Sequence, residues 1–272
     1  MTQITFTEFR KYVRRRDVFG YNRKLVETSL TGLNRMFDGS VVLDVGAGTR
    51  LKHFKSYTDK VRYLVGVDMA HEDLLLNHDV DSSVVGNAQQ LPFRSGTFDH
   101  IVCVDVVEHL TDPAAFLKET ARCLRPGGTM IICTPNLLGY KNIISSLMPR
   151  PALDLAWRVL KGRPGQPHRT YYRSNTIGRL RKLAGNADFK IEQAHYLDEI
   201  SHFYYSRPAL CMLAYLYGRM LQGLHMRFFL NYMVCVLRKN SAAGETDYTR
   251  LHEAAAAAVE SVDKSKERLV KV

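Results

Sequence analysis

Apolar residues along this chain fall into short β-branched runs, separated by longer stretches with helical spacing. Val41–Val45, Tyr63–Val67, Ser83–Val85, His100–Val104 and Thr129–Cys133 predict strands. Strands that alternate with helices predict a parallel sheet covered on both faces. Between the last two of these strands the pattern is helical. Asp112 is suited to cap that helix, Pro113 sits in its first turn, and Arg125-Pro126-Gly127-Gly128 ends it. A second helix is predicted over Ser174–Gly185, with Ser174 as N-cap and Ile177, Leu180 and Leu183 turned inward. Phe189–Tyr196 and Tyr232–Leu237 read as two final strands.

Other segments break this rhythm. Residues 1–40 read as an N-terminal helical segment, with Phe6, Phe9 and Val13 on one face and arginines opposite. Residues 136–173 are basic, aromatic and proline-rich, and read as an insertion over the carboxyl edge of the sheet. A second insertion, about 200–230, is apolar almost all round, and Arg219, His225 and Arg227 interrupt it. Its uncharged core is too short to span a bilayer. It reads either as a buried or dimer-forming helical pair, or as a hydrophobic substrate pocket or interfacial membrane contact. Residues 241–272, with an alanine-rich run at Glu253–Glu260, read as an appended flexible or helical tail.

Charge narrows the range of partners. The net charge is +11 over 272 residues. Arginines crowd the N-terminal segment, and Asp154 is the only acid between Lys141 and Lys182. Such a surface attracts phosphorylated substrates or anionic lipid. Nucleic acid is disfavoured, because no recognition motif accompanies the charge. The five cysteines form no C-x-x-C pair, which suits reduced thiols better than disulfides or a zinc site. The first residues lack the apolar core of a signal peptide. The expected location is cytoplasmic, with peripheral contact at the inner face of the membrane as the further option.

The chemistry begins at Val41-Val42-Leu43-Asp44-Val45-Gly46-Ala47-Gly48, where a strand runs into a glycine turn. Such a turn lets the backbone approach a nucleoside ligand. Dinucleotide sites want a third glycine at the position held here by Leu51, so a ligand without pyrophosphate is indicated. An acid, Asp68, ends the second strand, where it can take both ribose hydroxyls. Gly86-Asn87-Ala88-Gln89-Gln90-Leu91-Pro92-Phe93, Asp105-Val106-Val107-Glu108-His109 and Leu124-Arg125-Pro126-Gly127-Gly128 follow in order.

These motifs resemble the class I S-adenosylmethionine (SAM)-dependent methyltransferases of the type 11 group, with more distant similarity to quinone-biosynthesis O-methyltransferases. The resemblance implies a Rossmann-like α/β fold with a seven-stranded sheet, mostly parallel with an antiparallel last strand and helices on both faces. It implies a methyltransferase domain over residues 41–240 that contains both insertions. The cofactor contacts it implies are Asp44, Gly46, Ala47, Gly48, Asp68, Met69, Asn87, Ala88 and Asp105. Asn87 stands where the family usually has Asp, and its amide can still both accept and donate.

Glu108 and His109 are the catalytic candidates, because His109 can accept a proton near neutral pH. The alternative for both is a role in capping the next turn and orienting the cofactor. No metal is expected. A less favoured reading groups Asp105, Glu108 and His109 around a divalent cation, as in the quinone enzymes. His168, Arg169, Tyr171 and Tyr172 are candidate substrate contacts from the first insertion. The expected activity is O-methylation of a small-molecule, glycan or lipid-linked acceptor. The rival is a SAM-fold binding or scaffolding protein without catalysis.

Overall fold

The computed structural model describes residues 37–49, 61–149, 151–152, 155, 158, 169–197, 213, 216–218, 220–221 and 223–241. The predicted N-terminal helix before residue 37, His168, all of 200–212 and the tail beyond 241 lie outside them. Met1–Asn240 and Ser241–Val272 form separate compact units.

In the first unit the strands are β1 Val41–Val45, β2 Tyr63–Asp68, β3 Ser82–Val85, β4 Phe98–Val104, β5 Leu124–Pro135, β6 Phe189–Leu197 and β7 Tyr232–Lys239. They form one seven-stranded sheet in the order β3-β2-β1-β4-β5-β7-β6. The first five are mutually parallel, and β7 runs antiparallel to both β5 and β6. This is the predicted architecture. The helices with described bounds are α1 His71–Leu75, α2 Pro113–Cys123, α3 Tyr140–Leu147 and α4 Ile177–Gly185.

Strand periodicity builds two cores. Successive side chains leave opposite faces of a strand, so Leu43, Ile101, Cys103 and Ile132 pack beneath Phe116 and Leu117 of α2 and Leu180 of α4. Val42, Val102, Val104 and Ile131 pack on the other face with Phe37 and Leu64. Asp112 caps α2 as predicted, its Oδ1 accepting from the amides of Ala114 and Ala115 at 3.0 and 3.1 Å.

Three local expectations are corrected. The helix expected from Ser174 begins at Ile177, and its N-cap is Thr176, whose side chain accepts from the Arg179 amide. Ser174 cannot serve, because its hydroxyl is buried and makes no hydrogen bond. The Arg125–Gly128 turn does not separate α2 from β5 but lies inside β5, where the pairing shifts from Phe98↔Leu124 to His100↔Thr129. Gly128 permits this bulge: a Cβ there would stand 2.9 Å from the carbonyl oxygens of both Asp99 and Arg125. The first insertion contains a helix, α3, that its prolines and basic residues concealed.

Candidate active site

The carboxyl ends of β1, β2 and β4 meet at the glycine turn. Gly46 and Gly48 have φ of +78° and +50°, a region that L side chains rarely enter. The amides of Gly46 and Ala47 donate to the Val67 carbonyl at 2.8 and 3.2 Å, which folds the turn over the end of β2. A Cβ at Gly46 would lie 2.2 Å from Cγ2 of Val106, so the segment after β4 closes directly against the turn.

Asp68 joins the two sides. One carboxylate oxygen accepts from the Gly48 amide at 3.0 Å, and the other from the Ala70 amide at 2.9 Å. Each oxygen has a second lone pair, so the half-buried group can hold the turn and still receive a diol. Asn77 was not foreseen. It is buried, and its Nδ2 donates to the carbonyls of both Ala47 and Gly48 at 3.1 Å. Met69 is 72% exposed beside this turn, where it can cover a flat ring.

The Asn87–Phe93 loop forms the next wall. Oδ1 of Asn87 accepts from the Gln89 amide at 2.9 Å, and Asn87 bridges to Gln90. The loop is fastened to α2 by a second unforeseen pair. Arg122 donates to the carbonyls of Phe93 and Leu91 at 2.7 and 3.0 Å, and Glu119 accepts from the Leu91 amide at 2.9 Å. The Arg122 hydrogen bond, above all, lowers the Glu119 carboxyl from its usual range, and the partnership raises Arg122.

Beyond β4 the chain turns sharply. Asp105 is a non-glycine residue at φ +56°, a conformation that costs about 1–2 kcal/mol. It is held there by its amide, which donates to the Cys133 carbonyl, and by the Tyr232 hydroxyl, which donates to its Oδ1 at 2.6 Å. Tyr232 begins β7 as predicted, but no local pattern marks its contact with Asp105. Burial first, then the charge of Asp105, pushes this phenol well above its ordinary range, so it stays a donor.

Glu108 is buried, and its Oε2 accepts from the Thr134 hydroxyl at 3.0 Å. Asn175 Nδ2 donates to the same hydroxyl oxygen at 2.7 Å, which fixes the direction of the chain from amide to hydroxyl to carboxylate. The Glu108 carbonyl accepts from the amides of Tyr171 and Tyr172, at 2.7 and 3.3 Å. His109 Nδ1 lies 2.9 Å from the Arg169 carbonyl. A carbonyl can only accept, so Nδ1 carries a proton, and Nε2 lies 4.0 Å from Oε1 of Glu108. The Arg169 and Arg173 guanidiniums stack on the Tyr171 ring at 5.1 and 5.5 Å. The end of the first insertion is thus tied to the Glu108–His109 corner. Of the four predicted substrate residues, Arg169, Tyr171 and Tyr172 gather there.

Electrostatics single out this edge. Burial, then the charges of Glu108, Asp44, Cys133 and Asp105, hold the Cys103 thiol well above its ordinary range. Asp44 lies near the end of β1, and Asp105 and Glu108 lie just beyond the end of β4. Negative charge at this edge favours a ligand carrying positive charge. Among the described residues no three His, Cys, Asp or Glu side chains are grouped to hold a metal ion. Asp105 is directed to Tyr232 and Glu108 to Thr134.

Residues 43–132 match the methyltransferase domain family (type 11). The ubiquinone biosynthesis O-methyltransferase of Idiomarina loihiensis is 27% identical over 163 residues, which are 56% of this chain and 64% of that protein. The enzyme of the same name from Xanthomonas oryzae pv. oryzae is 33% identical over 106 residues, 36% of this chain and 44% of that one. The chain thus spans less than two thirds of these curated relatives. Among solved structures, a methyltransferase candidate from Haloferax volcanii, in complex with the Trm112 methyltransferase activator, superposes with a TM-score of 0.54 at 16% identity. It covers 87% of this chain and 95% of its own, a likeness of fold.

Proposed function

We propose that this chain, whose core segment 43–132 matches the methyltransferase domain family, is a SAM-dependent methyltransferase of a small-molecule, glycan or lipid-linked acceptor. The observation that carries the reading is the Asp68 carboxylate, which braces the Gly46–Gly48 turn through the Gly48 amide while offering lone pairs to a ribose. The residues fit the cofactor. The turn has no room for a side chain at Gly46, and Asp44, Asp68 and Asp105 fall at the carboxyl ends of β1, β2 and β4, which suits a ligand with an ammonium and a sulfonium. When bound, SAM supplies a methyl group on positively charged sulfur.

The chain's own residues do the rest. Gly46, Ala47 and Gly48 present backbone to the methionine part, with Asp44 and Asp105 beside them. Asp68 receives the ribose. Met69, Asn87 and Ala88 border the adenine. A hydroxyl is the favoured nucleophile, and His109 Nε2 is assigned to take its proton. Glu108 acts by holding the corner that carries His109. Arg169 and Tyr171 orient the acceptor, and the positive charge of Arg169 favours an anionic one. Positioning of the reacting groups supplies much of the rate. The protein is expected in the cytoplasm, with peripheral contact at the inner face of the membrane as the further option.

Labelled SAM incubated with fractionated lipid, glycan and metabolite extracts tests this. Label should enter one fraction, and His109→Ala should keep SAM affinity while transfer falls by about 100-fold or more. SAM binding without transfer to any fraction would favour the non-catalytic alternative. Transfer by His109→Ala at the wild-type rate would remove its assigned role.

A further inference from the structure

We infer that the exposed apolar stripe formed by Leu213, Leu216, Met220 and Leu224, together with α3, is a docking surface for an anionic lipid bilayer. Residues 213, 216–218, 220–221 and 223 are helical. The four stripe residues recur at three- and four-residue spacing and so share one face. Each is between 51% and 62% exposed, while Gly218 and Leu221 are buried. An ordinary surface helix is apolar on its inner face and polar outside; this one is apolar on both. The neighbouring helix repeats the pattern. The Tyr140 ring of α3 meets Tyr217 edge-on at 4.9 Å, and on α3 Ile143, Ile144 and Leu147 are exposed, Leu147 to 80%.

Charge identifies the occupant. Between 137 and 173 the sequence holds Lys141, Arg150, Arg158, Lys161, Arg163, Arg169 and Arg173 against one acid, Asp154. Between 200 and 230 it holds Arg207, Arg219 and Arg227 and no acid. Lys141 lies on α3 itself and Arg227 follows the stripe, so a second copy seated there would set like charges together across a two-fold interface. An anionic bilayer satisfies both features: apolar side chains enter the headgroup–acyl boundary, and cations meet phosphate. No helix among the described residues is long and apolar enough to cross a membrane, so the contact is peripheral.

The surface is firmly joined to the site. Asn136, directly after β5, donates to the carbonyls of Phe228 and Leu230 at 2.8 and 2.7 Å, and Asn142 of α3 donates to the Asn231 carbonyl at 3.0 Å. Docking would therefore hold the carboxyl edge of the sheet near the lipid. That it would deliver a lipid-borne acceptor rests on the methyltransferase reading; the docking itself does not.

The test uses the full chain with vesicles of phosphatidylcholine alone and with added phosphatidylglycerol. Wild type should sediment with the anionic vesicles, less so at high salt. Leu216→Ser/Met220→Ser/Leu224→Ser should bind them at least about tenfold more weakly, with an unchanged thermal melt and unchanged SAM affinity. Equal binding by variant and wild type would overturn the proposal. So would equal binding to neutral and anionic vesicles, or a wild-type dimer that the variant converts to monomer in sedimentation. Failure of wild type to bind SAM would instead strike the enzymatic reading and leave this one standing.

Discussion

Gly46→Ala is the sharpest perturbation of the turn. The new Cβ would sit 2.2 Å from Val106 Cγ2. Carbon atoms pack at about 3.5 Å or more, so the β1 turn and the segment after β4 must part by more than about 1 Å. Two costs combine. An L residue at φ +78° costs about 1–2 kcal/mol, and overpacking adds about 1–3 kcal/mol. The expected loss of folding stability is therefore about 2–5 kcal/mol, read in urea melts followed by circular dichroism. Because Val106 adjoins Asp105, methyl transfer should slow by about 100-fold, since misplacement by about 1 Å costs that much in rate. Val106→Ala removes Cγ2 and leaves Cβ at 3.6 Å, an ordinary contact. The double variant should thus recover the steric part and keep the conformational part, giving a coupling of about 1–3 kcal/mol. Strictly additive effects of the two substitutions would refute the reasoning.

Further predictions follow from the supporting contacts. Tyr232→Phe removes the donor to Asp105. Calorimetry should show SAM affinity reduced about tenfold, while methylthioadenosine, which lacks the amino-acid part, binds as before; equal losses for both would contradict the role given to Asp105. Asn77→Ala strips a donor from the Ala47 and Gly48 carbonyls. Its thermal melt should report about 1–3 kcal/mol of destabilisation, and a neutral result would mean that the turn does not need this brace. Glu119→Gln tests the clamp on the 91–93 loop as a function of pH. The folded carboxyl titrates below its usual 4.5, so its stabilisation is complete above that value and is lost as pH falls through the lower folded one. The difference in Tm between wild type and variant should shrink in acid; a difference independent of pH would count against the pairing.

What the sequence revealed and what it hid divide by range. The β-branched runs, the glycine turn and Asp112 are local signals, because each depends on neighbours a few residues away. They sufficed for the sheet and for the edge of it at which the candidate site is proposed. The supports are not local. Asn77 meets Ala47 across 30 residues, Arg122 meets Leu91 across 31, and Tyr232 meets Asp105 across 127. No periodicity encodes such pairs. Near errors have a similar cause. Ser174 and Thr176 are both good caps by type, and tertiary burial of Ser174 decides between them. The glycines at 127 and 128 suggested a turn because their composition permits one, and the pairing of β5 with β4 absorbed them as a bulge. In the apolar 200–230 segment, sequence could not separate inward from outward leucines, whereas exposure does so for those described.

The central claim is that Asp68 and the Gly46–Gly48 turn together hold SAM, and isothermal calorimetry tests it most directly. Wild type should bind SAM and S-adenosylhomocysteine. Asp68→Ala should weaken both by about tenfold or more, as expected when an ionised hydrogen-bond acceptor is lost. No binding of either ligand by the folded wild type, or an Asp68→Ala variant that binds them as wild type does, would contradict the account.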